Sequence, residues 1–105
     1  MNINLQNEIF RRYPNLYRAP GEDSVRPIDE RGIECGDAWF SLVDELSSAC
    51  ETEIQELIGK EIAREHWPRI AQVKEKLGGL RFYVVGNLSY ELRDRILRVE
   101  QASSF

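Results

Sequence analysis

Residues 73–85 read VKEKLGGLRFYVV, and this stretch decides the fold class. Two short runs meet at Gly78 and Gly79, and a Gly-Gly pair readily adopts the positive φ angles of a two-residue hairpin turn. Around such a turn, residues opposite each other share a face of the ribbon. The apolar face would carry Val73, Leu77, Leu80, Phe82 and Val84, and the other face Lys74, Lys76, Arg81 and Tyr83. The stretch predicts an antiparallel ribbon with one side in a core and a cationic side open to a partner.

The first half of this ribbon has a helical alternative. Ile70, Val73 and Leu77 also lie at helical spacing, and Gly78 could end a helix in the left-handed conformation. The clean sorting of the residues onto two faces favours a strand for residues 70–77.

The tight turn makes one residue of the ribbon anomalous. It pairs Leu77 with Leu80 and Glu75 with Phe82, so that a carboxylate falls on the apolar face. We expect Glu75 to lie at the edge of the sheet or to pair with an arginine such as Arg93.

A long amphipathic helix is predicted over residues 37–58. Its apolar residues recur at three- and four-residue spacing, at Trp39, Val43, Leu46, Cys50, Ile54 and Leu57. Asp37 would cap the first turn, because its carboxylate can accept from unpaired backbone N–H groups there. Gly59 would end the helix.

The flanking segments complete the order α–loop–α–β-hairpin–α. A short N-terminal helix stops before Pro14, and a last helix begins with Asn87 or Ser89 as its cap. Residues 18–36 are rich in Pro, Gly and charge and predict a long loop, while residues 101–105 predict a frayed tail. The expected fold is α+β, with the central helix packed on a two-stranded antiparallel ribbon.

Length and composition favour one globular domain over residues 1–105. The chain has 42% hydrophobic and 30% charged residues, as ordinary globular proteins do. It contains no apolar run near the roughly 20 residues that cross a bilayer. The N-terminus lacks the basic start and apolar stretch of a signal peptide. We therefore expect a cytoplasmic protein without a membrane partner.

Charge is distributed unevenly along the chain. Residues 1–59 carry a net charge of −7 and residues 60–105 carry +3, and residues 22–56 alone carry −9. Such a field repels nucleic acid and attracts a protein with a basic surface. The predicted partner-binding residues are the acids Glu22, Asp23, Asp29, Glu30, Asp44, Glu45 and Glu51, with Lys74, Lys76, Arg81 and Tyr83 on the hairpin.

Residues with reactive side chains are few. Cys35, Cys50 and the single histidine, His66, lack the four-ligand spacing of a zinc site, so buried thiols are expected. Glu34 and Asp37 flank Cys35 and could hold a metal, but a lone acid pair is unspecific. No catalytic residue, cofactor or metal is predicted, and the roles of Glu34, Cys35, Asp37 and His66 stay open.

Three stretches resemble a family of small, uncharacterised proteins from phages and bacterial mobile elements. They are residues 12–17 (RYPNLY), 34–40 (ECGDAWF) and 73–83 (VKEKLGGLRFY). That family often has Gly at the Ala38 position and Phe at the Leu77 position. Many relatives continue into a Cys-x-x-Cys segment, which this sequence lacks, so no zinc role is carried over. The resemblance implies a setting of phage–host or interbacterial conflict, but no established activity.

Three functional hypotheses follow. The first is a non-enzymatic protein-binding module that blocks a partner by an acidic surface, as an immunity protein or an anti-CRISPR-like inhibitor of a host defence complex. The second is a nucleic-acid-binding accessory protein that uses the hairpin cations and Arg95. The third is a small metal-dependent hydrolase or nuclease that uses Glu34, Asp37 and His66. The sequence does not determine the oligomeric state.

Overall fold

The computed structural model describes residues 1–18 and 32–103, and within them the chain forms three α-helices and a three-stranded sheet. The α+β prediction is confirmed. The elements are α1 (Ile3–Arg12), β1 (Ile33–Glu34), a 3-10 turn (Asp37–Trp39), α2 (Phe40–Gly59), a second 3-10 turn (Arg64–His66), β2 (Arg69–Lys76), β3 (Gly79–Val85) and α3 (Tyr90–Ser103).

The sheet has the order β1-β2-β3, with β1 parallel and β3 antiparallel to β2. The strand prediction for 70–77 is confirmed. The two-stranded ribbon was incomplete, because β1 lies inside the segment predicted as the loop 18–36. With only two residues, β1 is too short to display the alternation by which a strand is recognised. Residues 19–31 of that loop lie outside the described part of the chain.

The hairpin turn lies one residue earlier than predicted. Its central residues are Leu77, with φ of 53°, and Gly78, with φ of 79°, as a type I′ turn requires. Val73 pairs with Phe82, and Glu75 pairs with Leu80. From Val73 to Lys76, each residue therefore pairs two positions earlier on β3 than predicted. A shift of two keeps every residue on its predicted face, except that Leu77 leaves the apolar face for the turn.

The core lies between the apolar face of the sheet and the helices. The buried stripe of α2 belongs to the same cluster as the inward-facing residues of β2 and β3; its members include Val43, Leu46, Cys50, Ile54, Ile70, Val73, Leu80 and Phe82. The predicted packing of the central helix on the hairpin is confirmed.

The helix ends follow the predicted signals in part. Ser89 caps α3, since its hydroxyl accepts from Leu92 N at 3.1 Å. Asp37 does not cap α2, whose start has no side-chain cap. Gly59 lies within α2, and Glu61, with φ of 59°, takes the left-handed conformation beyond the helix end. The predicted frayed tail, residues 101–105, is helical through residue 103, and residues 104–105 lie outside the described residues.

Helix α3 runs beside the outer edge of β3 and bonds to it. The Ser103 hydroxyl accepts from Leu80 N at 3.0 Å, and a Glu100 carboxylate oxygen accepts from Phe82 N at 3.1 Å. These side chains satisfy backbone donors that an edge strand otherwise leaves unpaired.

Gln6 of α1 and Met1, which precedes the helix, satisfy β1 in a similar way. The amide oxygen of Gln6 accepts from Ile33 N at 2.8 Å, and the Met1 nitrogen donates to Ile33 O at 3.2 Å. The first residues of the chain thereby hold the short strand against β2.

A buried arginine joins the N-terminal segment to the corner that enters β2. Arg18 is 5% exposed, and its guanidinium donates to the carbonyls of Asn15, Arg64, Trp67 and Pro68 at 2.7–3.0 Å. It also lies 5.7 Å from the centroid of the Trp67 ring. One side chain therefore serves acceptors from two segments about fifty residues apart in sequence.

We predict that Arg18→Ala lowers the free energy of unfolding by roughly 3 kcal/mol, because it leaves several buried carbonyls without a donor. Urea denaturation followed by circular dichroism measures the loss. The matched control is Arg11→Ala, which removes an exposed ion pair with Glu8 and should cost about 0.5 kcal/mol or less. Equal losses in the two variants would contradict the assigned role of Arg18.

Candidate functional site

The hairpin brings its predicted cations onto one face of the sheet. Lys74 lies opposite Arg81, and Lys76 ends the same face next to the turn. The Lys74 ammonium is 5.9 Å from the centroid of the Tyr83 ring, a cation–π contact. From β1, Glu34 lies beside Lys74 in register. The predicted grouping of the hairpin residues is confirmed, although Lys74 covers part of the ring that was expected to stack on bases.

An apolar groove adjoins these cations between β3 and α3. Its volume is about 420 Å³, and its walls come from the buried Phe82 and Ile96 and the half-buried Val84. The rim exposes apolar side chains: Tyr83 is 40%, Val85 42% and Leu97 55% exposed. We call the β3–α3 surface the set Tyr83, Val85, Arg93 and Leu97, together with Lys74 of β2, which lies over the Tyr83 ring.

Sequence reasoning identified only part of this surface. Leu97 follows the buried Ile96 and so lies just outside the buried stripe of α3, among arginines. An apolar residue in that position was the one signal in the sequence that pointed to an exposed apolar surface. Arg93 lines the groove and donates to Gly86 O at 2.7 Å. This bond holds the guanidinium at the groove, next to the end of β3. A guanidinium has five N–H donors, so Arg93 can also donate to a second acceptor.

The acidic residues of α2 that face α1 make internal contacts. Asp44 accepts from the Arg12 guanidinium at 2.9 Å and from the Tyr13 hydroxyl at 2.7 Å. Glu51 is half-buried and accepts from the Asn15 amide at 3.2 Å. Burial raises the pKa of the Glu51 carboxyl. Two of the predicted partner-binding acids therefore hold α1 and the following turn against α2.

The opposite side of α2 is joined to α3 in the same manner. Glu45 forms an ion pair with Arg95 at 2.7 Å. The Glu53 carboxylate accepts both the backbone N–H and the hydroxyl of Ser89, the capping residue of α3. Arg95, which was considered for nucleic-acid binding, is thus engaged within the protein.

The solvent-facing stripe of α2 is mostly uncharged. Its exposed residues are Ser41, Glu45, Ser48, Thr52, Gln55, Glu56 and Ile58. Most acidic residues of α2 therefore lie along its two flanks, where they contact the α1 segment and α3. The predicted site residues Glu22, Asp23, Asp29 and Glu30 lie outside the described residues.

We predict that Asp44→Lys costs about 1–2 kcal/mol of stability, because it removes bonds to Arg12 and Tyr13 and puts two cations side by side. Glu56→Lys, which reverses an exposed charge on the same helix, should change stability by about 0.5 kcal/mol or less. Thermal denaturation of both variants checks this, and a more stable Asp44→Lys protein would show that Asp44 has no structural role.

Residues 34–37 act in joining elements of the fold. The Asp37 carboxylate accepts from the Asn2 backbone N–H at 2.7 Å and from its amide at 2.9 Å, and these bonds lower the pKa of Asp37. The Glu75 carboxylate accepts from Gly36 N at 2.6 Å. Glu75 was expected at the edge of the sheet or beside an arginine, but it lies on the central strand β2 and binds the segment that follows β1.

The residues of the hydrolase hypothesis do not converge. The exposed His66 imidazole lies 3.5 Å from a Glu65 carboxylate oxygen, on the corner that precedes β2. Within residues 1–18 and 32–103, the side chains of His, Cys, Asp and Glu form no group of three or more that could hold a metal ion.

Both thiols lie in the core. Cys35 follows β1 and Cys50 lies on the buried stripe of α2, and both are free. Burial raises the pKa of Cys35 to about 11 and that of Cys50 to about 12. The thiolate, which is the reactive form, is therefore disfavoured at neutral pH.

These shifts predict a loss of stability at high pH. Unfolded thiols ionise near their ordinary pKa of 9.0, whereas the folded thiols keep their protons up to about 11 and 12. The folded state binds more protons in that window, so the free energy of unfolding falls as pH rises from about 9 toward 12. Thermal denaturation between pH 8 and 11 measures the slope, which should be smaller in Cys50→Ala. An identical slope would contradict the assignment.

Comparisons with protein-family models, curated proteins and solved structures give no match to this chain. Across the part of the chain that the structure describes, the helices are too short or too polar to span a bilayer.

Proposed function

We propose that this chain is a non-enzymatic protein-binding module that blocks a partner by covering it, as an immunity protein or an anti-CRISPR-like inhibitor of a host defence complex. The observation that carries the proposal is the apolar groove beside β3 with its exposed Tyr83, Val85 and Leu97. Exposed apolar side chains that share one groove are typical of surfaces that bind other proteins.

The charges around the groove favour a particular partner. Arg93 lines the groove, and the Lys74 ammonium lies over the ring of Tyr83, another of its lining residues; both cations can bind carboxylates. We infer a protein surface that offers an apolar side chain to the groove and acidic residues to these two cations. The resemblance to mobile-element proteins supports the conflict setting.

The version with an acidic binding surface stays a separate proposal. It depends on Glu22, Asp23, Asp29 and Glu30, since Asp44 and Glu51 are bonded to the N-terminal segment and Glu45 forms a surface ion pair with Arg95. A partner with a basic surface would be attracted by these four acids.

We predict that Val85→Ser with Leu97→Ser weakens partner binding at least about tenfold, because two apolar contacts are lost. The partner is captured from a lysate of the encoding organism, purified and titrated by calorimetry. Reversal of the four acids at positions 22, 23, 29 and 30 to Lys tests the acidic version in parallel. Ile3→Ser is the matched control, as it alters an apolar residue of similar exposure on α1.

Each outcome separates the proposals. Loss of binding in the groove variant alone supports the β3–α3 surface, whereas loss in the acid-reversed variant alone supports the acidic surface. Unchanged binding in both would overturn both surfaces, and the lack of any partner would overturn the protein-binding function.

Nucleic-acid binding is the second candidate, and the grouping of Lys74, Lys76 and Arg81 on one face favours it. Phosphate contacts from these cations would make the affinity fall steeply with salt. Fluorescence anisotropy measures the affinity for a single-stranded oligonucleotide at about 50 and about 200 mM salt. Lack of binding at the lower salt would reject it.

A further inference from the structure

The tip of the hairpin carries an unusual residue for its conformation. Leu77 has φ of 53° and its side chain is 85% exposed. A bulky L-residue is rare in the left-handed region, because its Cβ approaches the following carbonyl. Asn, Asp or Gly is the usual first residue of a type I′ turn. Position 77 therefore combines a strained backbone with an apolar side chain in solvent.

The surroundings of Leu77 are cationic. Lys76 precedes Leu77 directly, and Lys74, two residues before Lys76, lies on the same face of the ribbon as Lys76. The nearest acid in sequence, Glu75, accepts from Gly36 N at 2.6 Å and is thereby bound to the segment that follows β1. The tip thus presents one apolar side chain with a positive charge beside it, on a short turn that fixes its direction.

We propose that Leu77 is an anchor that inserts into an apolar pocket of a partner protein, with carboxylates at the pocket rim facing Lys74 and Lys76. This rests on the proposed protein-binding function. A protein pocket can enclose the whole side chain, as at the buried anchors of interfaces. A lipid surface would gain little from one leucine and a few cations, and a phosphate backbone offers no apolar pocket.

The turn also prepares the anchor for binding. The type I′ turn sets the backbone conformation at position 77, so little backbone freedom is lost when the side chain is enclosed. Within the described residues, the 85% exposed side chain of Leu77 gains little from packing. Binding to a partner gives a reason for an apolar residue at this position.

The decisive variant is Leu77→Asn, which should act in opposite directions on stability and binding. Asn-Gly is a preferred pair for this turn, so the melting temperature should rise by a few degrees, at most about 4–8 °C. Affinity for the captured, purified partner should fall at least about tenfold, since the apolar anchor is lost. Leu77→Met keeps an apolar side chain and should bind within about threefold of the unmodified protein. Tyr90→Ser, at an exposed aromatic on α3, is the surface control.

The outcomes are distinguishable. Weaker binding by Leu77→Asn alone, with a raised melting temperature, supports the anchor. Unchanged binding overturns it and leaves the protein-binding function standing, whereas a protein that captures no partner overturns that function. A lower melting temperature in Leu77→Asn would contradict the claim that the backbone at position 77 is strained. Leu77-dependent binding to phosphatidylglycerol–phosphatidylcholine vesicles or to a single-stranded oligonucleotide would replace the protein partner with that ligand.

Discussion

The buried guanidinium of Arg18 is the interaction on which the rest of the structure depends. It joins the turn after α1 to the corner at residues 64–68, and the Leu16 carbonyl accepts from Ile70 N at 2.8 Å just beyond. Together these bonds fix where β2, the central strand, enters the sheet. Because a buried cation must be fully hydrogen-bonded, the guanidinium tolerates little displacement of either segment. The position of the hairpin relative to α1 follows from this constraint.

The local elements were predictable because their signals are periodic. The stripe of α2 and the alternation in β2 and β3 each repeat over several residues, and Ser89 caps α3 as its type suggests. The exact turn was not predictable, since Gly78-Gly79 is the better turn pair by intrinsic preference. The observed register instead aligns Val73 with Phe82 and turns Leu80 N toward Ser103, and these are tertiary contacts. Neither Arg18 nor β1 carries a periodic signal.

The candidate site was predictable only where local geometry decides it. Alternation alone places Lys74, Lys76, Arg81 and Tyr83 on one face. Sequence charge, in contrast, does not tell whether an acid faces solvent or a neighbouring helix. Asp44 and Glu45 are adjacent on α2, yet they contact α1 and α3 respectively. The groove depends on how α3 lies beside β3, which no segment determines by itself.

The side-chain bonds along both outer strands constrain how this domain can recognise another chain. Many small α+β domains bind an extended peptide by adding it as a further strand, through the free backbone groups of an edge. Here Ser103 and Glu100 already engage β3, and Gln6 engages β1. Recognition would therefore rely on side chains and shape complementarity, and selectivity would come from the fit of a few anchors. Such binding would tolerate variation in a partner's backbone conformation but little change in the shape of its contact surface.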